Sequence, residues 1–209
     1  GVVDACGVCD GHAVAVDAQG NAYLTGTVLG DLPGQVSAGA ADGFLRKYGP
    51  SGQELWTRQF GSSQLDEARS VAVDEAGIVT VLGITQGALP GKASSGWLDA
   101  FLQKYDAEGT EQGTGQFGPA WYTTVACMSV DSKGNVNLSG ADADPTFRHN
   151  ALADAQGPRG SDSQAPFSLA SCTTVDTKGN VYSAGWVSGA LVNQTSAGQA
   201  DAFVTKFVP

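Results

Sequence analysis

The sequence predicts an all-β fold built from a repeated four-stranded unit, and three observations carry that reading. One phrase occurs four times: VDAQGNAYLTG (16–26), VDEAGIVTVLG (73–83), VDSKGNVNLSG (130–140) and VDTKGNVYSAG (175–185). Its register is fixed. Asp17 and Asp74, Asp74 and Asp131, Gly30 and Gly87, and Asp42 and Asp99 are each 57 positions apart, whereas Asp131 and Asp176 are 45 apart. Self-similarity at a set period marks a modular array. Finally, the chain holds 29 Gly and one Met in 209 residues, and its apolar runs are short and alternating. No segment reads as a helix of about ten or more residues.

The elements follow in order within one unit. Ala13–Asp17 (AVAVD) alternates as a first strand. Asp17 to Asn21 turns the chain, since an Asp side chain bonds nearby amides and Gly20 accepts positive φ. NAYLTG returns as a second strand, and a loop with LPG (32–34, 89–91) leads to DGFLRKY (42–48) or DAFLQKY (99–105). A glycine turn, GPSG or DAEG, then opens a fourth strand such as QELWTRQFG (53–61). Val14 and Val16 share a face of the first strand, as do Val71 and Val73. Phe44, Phe101 and Phe203 recur at one place in the third, where they are expected to fill the space between units.

Four short antiparallel strands, repeated, are the signature of a propeller blade. The expected architecture is a β-propeller of about four four-stranded blades, at about 12–61, 62–118, 119–166 and 167–209. Shorter-turned β-solenoids fit the four-strand rhythm less well. The third blade is degenerate, offering PTFRHNALADAQG and PRGSDSQAPF where DAF-x-x-KY and the Trp strand belong, so 141–166 is expected to be irregular or covered by another chain. The fourth is incomplete, ending at DAFVTKFVP before an outer strand. That edge is expected to depend on a neighbour. The alternative is that Val2–Val8 folds back beside Phe203 to close a ring.

The pattern AVD-x-x-GN-x-Y-x-x-G, D-A-F-x-x-K-Y and G-x-x-x-W resembles the SBBP beta-propeller repeat family. The resemblance covers Gly11–Gly118, Val125–Gly140 and Leu169–Phe207. It implies a scaffold or cell-surface module without a shared active site. Residues 1–11, with DACGVCDG, resemble the end of a small cysteine-rich extracellular module whose cysteines are disulfide-bonded.

Charge and motifs narrow the function classes. The net charge is −10 with 11 Lys+Arg, which argues against nucleic acid and anionic membrane surfaces, both of which need clustered cations. No apolar run reaches the ~20 residues of a membrane helix. No G-x-S-x-G, H-E-x-x-H, P-loop or EF-hand loop occurs, and the two histidines, His12 and His149, stand in no motif. The chain is expected to be non-enzymatic, without cofactor or metal. Cys6, Cys9 and His12 offer three zinc ligands and lack a fourth. Asp17, Asp74, Asp131 and Asp176 suit hairpin turns better than calcium, which needs converging oxygens.

Disulfide candidates are Cys6, Cys9, Cys127 and Cys172. Cys127 and Cys172 occupy one strand position in two units, where Ala13 and Ser70 stand in the others. Buried small hydrophobes and an inter-blade disulfide both fit that position. Asn193 (NQT) and Asn137 (NLS) are glycosylation candidates, and Trp97 and Trp186 are candidate glycan contacts. Trp56 is expected in the core of its blade. The function these features imply is a structural or adhesive extracellular or cell-surface module. Its expected partners are other protein modules or copies of the chain, within a filament or surface appendage. A carbohydrate-binding propeller is the alternative, and an enzyme with an axial site a third reading.

Overall fold

The structure is a computed structural model that describes residues 9–118, 123–131, 134–142, 149–154, 157–161, 168–187, 195, 198–199 and 201–207. Among these residues there is no helix, the strands of the four sheets all pair antiparallel, and a single parallel bridge joins Ala41 to Leu65. The chain divides into two compact units, Gly1–Trp121 and Tyr122–Pro209.

The first unit holds two sheets, each a four-strand meander. One runs β1 (Cys9–Val16), β2 (Ala22–Val28), β3 (Asp42–Tyr48) and β4 (Glu54–Phe60). The other runs β5 (Asp66–Val73), β6 (Val79–Thr85), β7 (Asp99–Tyr105) and β8 (Glu111–Phe117). β1 begins inside the leader span 1–11, with Cys9 opposite Val28. The two sheets share one register. Gly26 faces Phe44 as Gly83 faces Phe101, and both phenylalanines are fully buried. Each first strand carries a bulge, at His12 and at Arg69, which adds local twist.

Alternation along the strands assigns the faces. On the first sheet, Ala13, Ala15, Tyr23, Leu45, Trp56 and Phe60 point one way. They meet Val71, Val79, Val81, Phe101 and Tyr105 of the second sheet in one apolar cluster. Phe60 packs edge-on against Phe101 at 5.9 Å, and Trp56 lies 6.1 Å from Tyr23. Polar bonds finish the seam. Trp56 Nε1 and Lys47 Nζ donate to Ala107 O at 3.0 and 2.9 Å, and Arg58 Nε donates to Gly109 O at 2.6 Å. Trp56 thus lies half-buried against the core, as expected.

The second unit holds β9 (Thr123–Val130), β10 (Val136–Asp142), β11 (His149–Asp154) and β12 (Gly157–Ser161) in one sheet, and β13 (Ser168–Val175), β14 (Val181–Val187) and β15 (Asp201–Phe207) in the other. β13 packs on β9 and β10 much as β5 packs on β1 and β2. The expected irregularity of 141–166 is therefore corrected in part. β10 pairs β11 at Asn137↔Leu152, and β11 pairs β12 through a register shift. Main-chain bonds make a sheet without the side-chain motif that announces one. The last sheet has three strands among the described residues, and Val2–Val8 lie outside them.

Candidate functional site: an open sheet face and two buckled loops

The repeated aspartates are spent on their own turns. Asp17 Oδ1 accepts from the amides of Gln19 (3.0 Å) and Asn21 (2.8 Å), and its Oδ2 accepts from Asn21 Nδ2 and Tyr23 Oη. Burial raises the Asp17 carboxyl, but these donors outweigh it and leave it lowered. Asp176 repeats the cage. The bond from the Asn180 side chain leads the causes that hold its carboxyl at about 2. Among the described residues, no group of three or more His, Cys, Asp or Glu could hold a metal ion.

A glutamine buckle holds each long loop of the first unit. Gln59 Oε1 accepts from Leu32 N at 2.8 Å, and Gln59 Nε2 donates to Gly30 O and to Asp42 Oδ2. Asp42 Oδ2 also accepts from Ala38 N. In the second sheet Gln116, 57 positions on, makes the same bonds to Leu89 N, Gly87 O and Asp99 Oδ2, while Ser95 N closes on Asp99. Leu32 and Leu89 are buried plugs beneath the two loops. The repeated Gln-Phe-Gly of β4 and β8 was the available signal for this device, which sequence reasoning missed. The buckle fixes the loop that carries Trp97, whose side chain is 65% exposed beside buried Leu98 and Asp99.

Equivalent residues differ in what covers them. Val71 on β5 is 7% exposed against the first sheet, yet Val14, its counterpart on β1, is 63% exposed and Val16 is 62% exposed. Leu24 stands opposite Val14 on the same face. The first sheet thus leaves this face open at its β1 edge, at Val14 and Val16, while Phe44 and Val28 on the same face stay buried with Leu32.

A pair of buried acids lies where the two sheets join. Asp66 N donates to Ala41 O at 2.8 Å, which brings Asp66 beside Asp42. A Cβ on Gly61 would lie 2.5 Å from Asp42 Oδ1 and 2.8 Å from Asp66 Oδ2, so only glycine fits between them. Asp66 Oδ2 accepts from the Ser62 amide and hydroxyl. Burial pushes the Asp66 carboxyl up, Asp42 adds to this, and the Thr85 and Ser62 bonds oppose it. Asp66 therefore takes up protons on folding. Its contribution to stability is fully present below its unfolded value of about 3.9 and is lost as the pH rises through its folded value. Asp66→Asn keeps an acceptor for Ser62 and is expected to raise the melting temperature at pH 8 relative to the native chain, with the gain vanishing toward pH 4. Thermal scans across that range check it. An equal loss at both ends would show that the carboxylate is not penalised.

The other sequence-predicted residues fall as follows. Cys6 and Asn193 lie outside the described residues. Asn137 is 2% exposed on β10, where the folded sheet leaves no space for a sugar. Trp186 is 38% exposed on β14, opposite Leu169 and Ala202, and belongs to the second unit, whereas Trp97 belongs to the first. Cys127 Sγ and Cys172 Sγ are brought together at 3.1 Å.

No family model matches the chain. It is similar to the regulatory protein FlaEY of Caulobacter vibrioides, at 33% identity over 103 residues, covering 46% of this chain and 11% of that protein. Among solved structures it is similar to a protein of unknown function from Bacteroides caccae. There the TM-score is 0.51 and the identity 12%, over 84% of this chain and 53% of the other. The extracellular domain of the putative one component system BT4673 from B. thetaiotaomicron matches at TM-score 0.40 and 13% identity, over 83% of this chain and 20% of that one. The chain thus spans about a ninth of the curated relative and about half of the first structural neighbour.

Proposed function

We propose that this chain is a non-catalytic structural or adhesive module, its sheets the blades of a β-propeller of SBBP type, acting outside the cell or at its surface through protein–protein assembly. The observation that carries this reading is the exposure of Val14 and Val16 where Val71 is buried. Two neighbouring β-branched residues on an open sheet face suit contact with another sheet. The first unit supplies the pattern for such a contact: one face of a sheet receives the opposite face of the next. The partner is another protein module, or a second copy of the chain, that presents a surface like that of Tyr23, Leu45 and Trp56. The net charge of −10 disfavours nucleic acid as that partner.

The test is the double variant Val14→Asp, Val16→Asp. Both side chains are exposed, so the change is expected to cost the first unit about 1 kcal/mol or less. Sedimentation across a concentration series reads the assembly. The native chain is expected to gain mass with concentration, and the variant to need at least about tenfold more protein for the same gain. A native chain that stays single at every concentration, or a variant that assembles equally well, would overturn the reading. A second reading, glycan contact, is favoured by Trp97 standing exposed on a fixed loop. Glycan binding lost in Trp97→Ala but kept in the valine variant would select it.

A further inference from the structure

The two cysteines of the second unit stand at one register position of neighbouring sheets. Cys127 on β9 is opposite Ser139, and Cys172 on β13 is opposite Ala184. Each follows a one-residue bulge, at Ala126 and at Ser171. In the first unit the matching positions, Ala13 and Ser70, also follow bulges and hold side chains too small or too inert to join. The bulges twist the two strands so that the side chains converge. At 3.1 Å the sulfurs are closer than the ~3.5–4.0 Å at which two carbon atoms rest in contact. A bond of ~2.05 Å asks for about 1 Å of further approach, within the reach of small side-chain adjustments.

The two thiols differ in a way that orders a reaction. Cys172 is exposed and Cys127 is half-buried. Burial lifts the Cys127 thiol to about 11, with Cys172 adding to the shift and the Thr173 backbone opposing it. An oxidant in solution therefore reaches the Cys172 thiol first.

We propose that Cys127 and Cys172 form an oxidation site that becomes a disulfide joining the third sheet to the fourth, with a small-molecule or protein disulfide as oxidant. In the first step Cys172 loses its proton to solvent. Its thiolate attacks one sulfur of the oxidant, forming a mixed disulfide and expelling one thiolate. Cys127 then gives its proton to solvent, and its sulfur attacks Cys172 Sγ, forming the intersheet bond and expelling the second thiolate. Two thiols lose two electrons and two protons, and the oxidant is reduced to two thiols. The bond closes a loop of 45 positions that holds β10 together with β11 and β12, the two strands whose sequence carries no blade motif. It ties that sheet to its neighbour by a covalent route that the first unit, with its aromatic seam, does without. The inference is independent of whether the Val14 face assembles.

The experiment uses the whole chain equilibrated with oxidised glutathione, alkylated, and mapped by trypsin without reduction. Cleavage is expected to leave peptide 105–133 joined to peptide 160–178 and lighter by two hydrogens than the two free peptides. Both cysteines recovered in alkylated form, or either joined mainly to Cys6 or Cys9, would overturn the proposal. Cys172→Ser is expected to lower the melting temperature by roughly 5–10 °C under oxidising conditions and to leave it unchanged in dithiothreitol. An equal loss in both conditions would show that the cysteine only packs. The peptide map on the native chain decides the question even if the variant does not fold.

Discussion

Replacing Phe101 with alanine is expected to destabilise the first unit by about 3–5 kcal/mol. The ring is fully buried. It sits over Gly83, where a Cβ would strike it, and edge-on to Phe60 at 5.9 Å. Truncation removes apolar burial and leaves a cavity that the sheets on either side cannot close, because their spacing is set by Tyr105, Val81 and Leu45 in the same cluster. The edge-to-face contact with Phe60 is lost as well, worth about 0.5–1.5 kcal/mol within that total. Urea titration followed by tryptophan fluorescence gives the measurement. Leu55→Ala, on a side chain 48% exposed, is the control and is expected to fall within about 0.5 kcal/mol of the native chain. A loss below about 1 kcal/mol for Phe101→Ala would mean that the two sheets do not share this core.

Gln59→Leu is expected to cost about 1–3 kcal/mol, because it strips partners from three groups at once while leaving the volume nearly unchanged. Leu32 N loses its acceptor, and Gly30 O and Asp42 Oδ2 lose a donor. The effect is local. Hydrogen exchange at the Leu32 amide is expected to accelerate about tenfold or more, while the Leu89 amide, held by Gln116, stays as slow as before. Gln116→Leu should reverse the two results. Equal acceleration at both amides would mean that the loops are coupled through the unit, and no change at either would mean that the buckle does not hold them.

The repeat was legible because it is written in residues that only one backbone shape tolerates. Asp17 and Gly20 recur as Asp176 and Gly179, and both turns close in the same way, with φ of 83° and 82° at the glycines. Phe44 and Phe101 were legible through the 57-position register. Other features were not. Val14 and Val71 have the same alternating surroundings, and what separates 63% from 7% exposure is the neighbouring sheet, which no local pattern encodes. The Asp42–Asp66 pair joins residues in two different repeat positions, so aligning the repeats hides it. The strands β11 and β12 escaped for a third reason: their ladder is a main-chain affair, and the aromatic signature was an accompaniment to it.

The seam in the first unit has a direction. It joins the front of one sheet to the back of the next, and the two surfaces are different: Tyr23, Leu45 and Phe60 on one side, Val71, Val81 and Phe101 on the other. A contact between unlike surfaces cannot be satisfied by a two-fold pair, in which each partner must offer the same patch. Any module added to the Val14 face by the same rule leaves its own far face open in turn. Growth by that rule ends only when the accumulated rotation brings the last face to the first; otherwise it continues as a polar fibre with two distinguishable ends. If the proposed assembly forms, the angle between successive sheets, more than the affinity of any single seam, decides between ring and fibre.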